Sequence, residues 1–336
     1  MPNKDIIAIG GSAGSGNVLR RIVRDLPPDL PASLFVSTHM PAKSRGFLAE
    51  TLAAAGSLPV AEAVNGQPIE RGRIYVAAPD RHLLLMNGTI RLGEGPRENM
   101  ARPAIDPFFR SAALSYGPRV IGVVLSGMLN DGAAGLYAIK AAGGTAVVQH
   151  PLDADADQMP LAALEAVDVD HVASAADLAN TLSELARSEA GPASPPSEEL
   201  ALEVDIAAGG RLGSRALEGF ADPSALTCPD CHGVLSEVRS KGPLRYRCQI
   251  GHAYSAETLM ANIGEIDEAL RVAMRVMEER LTLVERMAED ARATGRAAVA
   301  ELYETRAGEY RRYAATLREA AVLALRTSNF ARDQEI

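Results

Sequence analysis

The stretch "IIAIGGSAGSG", Ile6 to Gly16, decides the fold and most of the chemistry. An apolar, isoleucine-rich run ends in closely spaced glycines, and an amphipathic segment, "NVLRRIVRDL" (17–26), follows at once. That order reads as a buried strand, a tight turn and a helix. Two chemistries use such a turn. A glycine loop can cradle a phosphate, or a sharp corner can display Ser12 as a nucleophile. A dinucleotide loop needs G-x-G-x-x-G and an acidic residue about 20 positions on, where it grips a ribose. Gly10, Gly11, Gly14 and Gly16 fit that spacing poorly, and the second strand ends in "VSTHMPAKS", with His39 in place of a carboxylate. The spacing Gly10-x-Ser12-x-Gly14 is instead that of a nucleophile elbow.

A serine hydroxyl is a poor nucleophile at neutral pH and needs a base, usually His, oriented by a carboxylate. Strand ends supply both partners. His39 follows "SLFVST" (33–38), and Asp131 follows "VIGVVLSG" (120–127) in "LSGMLNDGAAG". Further strands are expected at "DIIAIG" (5–10), "RIYVAA" (73–78) and "GTAVVQ" (144–149), with helical segments at "GFLAETLAAAG" (46–56) and "GLYAIKAAG" (135–143). Continuous apolar runs alternating with helices predict an α/β fold, a mostly parallel, doubly wound sheet buried on both faces. "RIYVAAPDRHLLLMNGTIRLGE" departs from that pattern, since "NG" between strand-like runs signals an antiparallel hairpin. Ligands of open parallel sheets bind at the carboxyl ends of the strands, so Ser12, His39 and Asp131 are expected on one rim. Their chain order, Ser…His…Asp, differs from the Ser…Asp…His of ordinary α/β-hydrolases.

At these residues the chain resembles the catalytic domain of the chemotaxis protein-glutamate methylesterases, the CheB family. "AIGGSAGS", "STHMPA" and "LSGMLNDGAAGL" are similar to three motifs of the family and put Ser12, His39 and Asp131 at its nucleophile, base and carboxylate positions. "IERGRIYVAAPDRHLLL", "RPAIDPFFRSAA" and "GGTAVVQ…QMPLAALEA" also match, so the likeness runs in register over about residues 4–187. The resemblance implies hydrolysis of glutamate γ-methyl esters on a methylated chemoreceptor or similar sensory protein, releasing methanol, with glutamine deamidation as a related activity. No cofactor is implied for catalysis. Ala13 and Met128 are candidates for oxyanion amides, and His82 matches the family pattern as a cleft or structural residue. Ser15 stands where the family has a second glycine. With the first strand opening at about residue 5, no receiver domain is expected ahead of the esterase, so regulation would lie elsewhere. The alternative is a non-catalytic signalling adaptor that keeps the scaffold and acts through its tail.

That tail begins with a change of composition. Residues 188–224, opening "SEAGPASPPSEEL", read as a disordered linker after a domain at 1–187. The three cysteines of the chain fall in the next segment, 225–254. Cys228-x-x-Cys231 and Cys248-x-x-x-His252 give soft sulfur and imidazole donors suited to a closed, structural Zn²⁺ site. A module of ~30 residues is too small to fold on its core alone, which strengthens that reading. From 255 to 330 an apolar stripe at helical spacing runs through Ile263, Ile266, Leu270, Met277, Leu281 and Val284. It resumes after Gly295 at Tyr303, Ala307, Tyr310, Ala314, Leu317, Ala321 and Ala324, so an antiparallel helical hairpin is expected, a surface for docking or for pairing of copies.

Composition limits what else the 336 residues can do. A net charge of −9, 4% aromatics and no Trp argue against nucleic acid as partner. No apolar run approaches the ~20 residues of a membrane span, and the first residues lack the layout of a signal peptide, so a cytoplasmic protein is expected.

Overall fold

The computed structural model describes residues 2–44, 46–210, 214–261 and 264–333, excepting the side chains of 214–216, 264–268 and 323–333. They form two units, Met1–Leu259 and Met260–Ile336.

The first unit opens with β1 (Ile6–Gly11), α1 (Ser15–Asp25), β2 (Ser33–Thr38), α2 (Phe47–Ala53), β3 (Val60–Glu62) and β4 (Ile74–Val76). The hairpin β5 (His82–Met86) and β6 (Thr89–Gly93) follows. Next come α3 (Ile105–Tyr116), β7 (Val120–Val124), α4 (Ala133–Ala141), β8 (Thr145–Gln149), α5 (Gln158–Ala166), β9 (His171–Ala173) and α6 (Leu178–Arg187). Seven strands make one sheet in the order β3-β4-β2-β1-β7-β8-β9, every neighbouring pair parallel. Side chains alternate across it. Ile6 and Ala8 face Phe108, Phe109 and Leu136, carried by α3 and α4, whereas Ile7 and Ile9 face Leu19, Leu52 and Leu182 of α1, α2 and α6. Both faces are therefore covered, and β1, β2, β7 and β8 are buried along their whole length. In the hairpin turn Asn87 and Gly88 both take positive φ, 49° and 85°, the conformation that an Asn-Gly pair favours.

The described residues of the segment, 188–210 and 214–224, do not form the disordered linker that its composition suggested. They carry α7 (Glu198–Ala208), α8 (Ser214–Phe220) and the start of β10 (Ala221–Thr227). Ser197 caps α7, accepting from the N–H of Leu200 at 3.1 Å. Val204, Ile206 and Ala207 are buried, and so is Glu203, which accepts from Arg245 at 2.7 Å and Arg247 at 3.0 Å. Ion pairing makes a helix face of a segment whose small and charged residues look solvated in one dimension.

β10 continues into β11 (Val234–Val238), β12 (Arg245–Cys248) and β13 (Ala253–Ser255), a four-stranded antiparallel sheet, and then α9 (Ala256–Ala261). The cysteine segment, expected as a module at 225–254, thus starts at Ala221 and belongs to the first unit. Its Arg247, fully buried, donates to Glu98 at 2.9 Å as well as to Glu203, and Arg110 of α3 pairs with the same Glu98.

The second unit is a helical hairpin of α10 (Gly264–Ala293) and α11 (Ala297–Asp333), turning at Gly295 with φ 75°. Glu278, Glu285 and Arg292 pair with Arg318, Arg311 and Glu304. Each step of seven residues up one helix meets a step of seven down the other, the register of an antiparallel coiled coil. Ala288, Ala291, Ala300, Ala307 and Ala314 are buried along the hairpin, so small residues bring the backbones close. Ile263 and the side chains of Ile266 and Ala324 lie outside the described residues. Among those described, no helix is long and apolar enough to cross a membrane.

Candidate active site and cysteine cluster

Strands β2, β1 and β7 are neighbours and parallel, so the residues that follow them leave the sheet together. The register sets Gly11 beside Thr38 and Gly10 beside Val124, which delivers Ser12, His39 and the Ser126–Asp131 loop to one edge. There His39 Nδ1 lies 3.1 Å from Ser12 Oγ, and His39 Nε2 lies 2.6 Å from Asp131 Oδ2. The turn behind Ser12 is cramped. Gly14 has φ 77°, and a Cβ there would sit 2.5 Å from Asp155 Cβ and 2.6 Å from Ser126 Oγ. Ser15, buried, replaces the family's glycine without disturbing this corner, since its N–H and Oγ both donate to the Ser12 carbonyl, at 3.1 and 2.7 Å. A Cβ on Gly127 would come within 2.9 Å of Ser12 Cβ, so the β7 loop passes close under the hydroxyl.

Asp131 is held from four sides. Besides His39, its carboxylate accepts from the N–H of Ile105 at 2.7 Å, the N–H of Asp106 at 3.1 Å and Asn99 Nδ2 at 3.0 Å. Burial opposes its charge, but the His39 hydrogen bond and these donors hold its pKa below the usual carboxylate range. For His39, burial disfavours the imidazolium, and Asp131 more than offsets it, so the ring titrates above its ordinary value. Asp106, also buried, behaves in the opposite way to Asp131. Burial and the adjacent Asp131 charge push it up to about 7.

Some of the amides beside Ser12 are engaged within the protein and others are not. The N–H groups of Ser12 and Gly127 donate to Ser126 and Ala156 carbonyls, both at 2.9 Å, whereas those of Ala13 and Met128 meet no acceptor among the described residues. Ala13 and Met128 are both exposed residues. A cleft of about 200 Å³ runs from Ser12 and His39 past Met40 to Phe47, which is 60% exposed. His82 does not line it. The ring is fully buried, places Nε2 2.9 Å from the Pro96 carbonyl and accepts from the N–H of Ala104 at Nδ1. Burial depresses its pKa, so it stays neutral and serves to anchor the loop of residues 96–104.

Residues 7–182 match the family described as CheB methylesterase. The chain belongs to this family. A protein-glutamate methylesterase/protein-glutamine glutaminase of Anaeromyxobacter dehalogenans is 39% identical over 183 residues, 54% of this chain and 54% of that protein. One of Moorella thermoacetica is 37% identical over 187 residues, 53% of this chain and 43% of that protein. The chain thus spans about half the length, or less, of these two relatives. The crystal structure of the Thermotoga maritima CheB methylesterase catalytic domain superposes with a TM-score of 0.51 at 34% identity, covering 54% of this chain and 98% of that one. The family match covers the parallel-sheet part of the first unit and leaves the cysteine segment and the helical hairpin outside it.

In that segment Cys228, Cys231, Cys248 and His252 converge, their ligand atoms all within 4.8 Å of one another. Cys231 and Cys248 sulfurs are 3.7 Å apart, and His252 Nδ1 lies 3.7 Å from Cys228 Sγ and 3.5 Å from Cys248 Sγ. A tetrahedron with Zn–S of about 2.3 Å and Zn–N of about 2.0 Å has edges of about 3.8 Å between sulfurs and about 3.5 Å from sulfur to nitrogen. The donor set fits a metal of that size. His232, next to Cys231, is exposed and outside the cluster.

Sequence reasoning missed Asn99 and Asp106. Asp106 lies in "RPAIDPFFR", quoted only for its likeness to the family, and its carboxylate caps α4 by accepting from Gly132 and Gly135 N–H at 3.0 and 2.6 Å. Asn99 offered no signal, because only Asp106 among its side-chain partners is near it in sequence, and Asp131 and Ser255 lie 32 and 156 residues away.

Proposed function

We propose that the chain hydrolyses γ-methyl esters of glutamate on a methylated chemoreceptor-type protein, releasing methanol, and that the same site deamidates glutamine. The reading is supported above all by the contact of Ser12, His39 and Asp131 at one sheet edge, in a chain of the CheB methylesterase family. Ser12 Oγ attacks the ester carbonyl while His39 Nδ1 takes its proton. Asp131, on Nε2, fixes the ring and stabilises the imidazolium. His39 then protonates the departing methoxide, and a water deprotonated by His39 clears the acyl-enzyme. The amides of Ala13 and Met128 hold the oxyanion, at about 3–4 kcal/mol per donor in comparable sites. The open cleft suits a side chain projecting from a receptor helix. The reaction needs no cofactor, and the site is cytoplasmic, where receptor methylation takes place.

Cys228, Cys231, Cys248 and His252 hold a structural Zn²⁺ that leaves no open coordination position. The α10–α11 hairpin is a docking or pairing element. The test of the central reading is methanol release from methylated receptor fragments by wild type and Ser12→Ala. Release must fall by several orders of magnitude in the variant; equal release by both would remove Ser12 from the chemistry.

A further inference from the structure

Asn99 sits where the parallel-sheet domain meets the small antiparallel sheet, and both ends of its side-chain amide are engaged. Its side-chain amide Nδ2 carries two hydrogens, one directed at Asp131 Oδ1 and one at Asp106 Oδ2, each at 3.0 Å. Its Oδ1 accepts from the N–H of Ser255 at 2.9 Å, and its own N–H donates to the carbonyl of Ala253 at 2.8 Å. Reversing the amide would point an oxygen at two carboxylates and an N–H₂ at an N–H, so the orientation is fixed. Its φ of 49° is a left-handed value that Asn tolerates better than most residues.

The partners on the far side belong to the segment that leaves the cysteine cluster. His252, one of its four donors, is followed directly by Ala253 and β13. A second strap runs beside the first: Ser255 Oγ donates to Asn130 Oδ1 at 2.6 Å, and Asn130 Nδ2 donates to Glu257 at 2.5 Å. Asn130 immediately precedes Asp131. β13 and the start of α9 thus grip the triad carboxylate through the neighbour in sequence and the neighbour in space.

We infer that Asn99 is a positioning residue for the triad, fixing the Asp131 carboxylate against His39, and that β13 of the cysteine segment holds Asn99 in place. The inference rests on the esterase reading for its consequence in rate, but its geometry can be read separately. A carboxylate shifted by about 1 Å can cost about 100-fold in rate.

The test uses the full chain with Asn99→Gly, which removes the side chain while accepting the positive φ, and Asn99→Asp, which keeps the size but replaces the donor with oxygen. Two quantities are measured: the low-field NMR resonance of the His39 proton shared with Asp131, and the rate at which a fluorophosphonate probe labels Ser12. Folded Asn99→Gly or Asn99→Asp protein is expected to lose the resonance or move it upfield, and to label about 100-fold more slowly. If either variant melts as wild type does and keeps both resonance and labelling rate, the positioning role is overturned. If wild-type Ser12 takes no label, the esterase reading fails, and the resonance alone judges Asn99: its loss in the variants supports the role and its persistence refutes it.

Discussion

Asp106 and Asp131, two fully buried carboxylates, share the two N–H bonds of one Asn99 side-chain amide. Like charges this close do not ionise together without cost, and the surroundings decide which one yields. Asp131 also faces the His39 ring and keeps its charge, whereas Asp106 meets no cation in direct contact among the described residues and is pushed up to about 7. The pair places its negative charge on the side of the imidazole.

Stability should carry the signature of this division. Asp106, with its pKa raised from 3.8 to about 7, binds more protons folded than unfolded between those values, so stability falls as pH rises through that window. The decline is on the order of a few kcal/mol. His39, also raised, adds stability below 6.5 that is lost as pH climbs through its folded value. Asp131, lowered, contributes above 3.8 and loses that contribution as pH falls through its folded value. Urea unfolding of wild type and Asp106→Asn at several pH values reads the effect. The slope between pH 4 and 7 is expected to flatten in the variant, and an unchanged slope would locate the titration elsewhere.

Rate should follow the imidazole. His39 must be neutral to accept the Ser12 proton, so kcat/KM rises with pH along a limb placed above 6.5 by the Asp131 carboxylate. Asp131→Asn should bring the limb down toward 6.5 and reduce kcat by about 10⁴-fold, as loss of the orienting carboxylate does in comparable triads. A variant with the wild-type limb and a small loss would mean that Asp131 does not bear on the ring.

Glu203 anchors the segment that composition marked as a linker. Its carboxylate lies between Arg245 and Arg247, with Arg110 at 3.8 Å. Burial opposes its charge, and the three guanidiniums hold its pKa far below the ordinary range. Glu203→Ala removes the carboxylate partner of Arg245 and leaves Arg110 and Arg247 to share Glu98, and the expected loss is about 3–5 kcal/mol in urea unfolding. A loss below about 1 kcal/mol would show that α7 is not fixed by this cluster.

The parts of the molecule that were legible share one property: they are written in contiguous residues. Ile6–Gly11 and Val120–Val124 are buried on both faces, so their apolar runs announce a covered parallel sheet, and the elbow spacing around Ser12 names the rim that matters. β3 and β9 hold three residues each, too few for a pattern. Helix α3, "IDPFFRSAALSY", was not assigned from the sequence as an element. It is buried from Ile105 through Ala113, including Asp106 and Arg110, so it lacks the polar face that marks an amphipathic helix. Glu203 and Asn99 misled or gave no sign for the same reason. A polar residue near Pro, Ser and Gly looks solvated until distant arginines or carboxylates close around it.

Metal content and folding should be linked at the cysteine cluster. Protein purified without chelator is expected to carry one zinc per chain by elemental analysis, and a strong chelator should lower its melting temperature, because binding and folding are coupled in so small a sheet. Cys231→Ser should lose the metal and melt like the chelated wild type. Metal-free protein with an unshifted transition would leave the four donors as an ordinary packed cluster.

The most direct measurement is the site of covalent modification. The 336-residue chain is treated with the fluorophosphonate at a pH where His39 is neutral and digested, and the adduct is located by mass spectrometry. Attachment to Ser12 and to no other serine, abolished in His39→Ala, is the expected result. A chain that stays unmodified at Ser12, or is modified equally without the imidazole, would contradict the claim that this hydroxyl is activated by its neighbour.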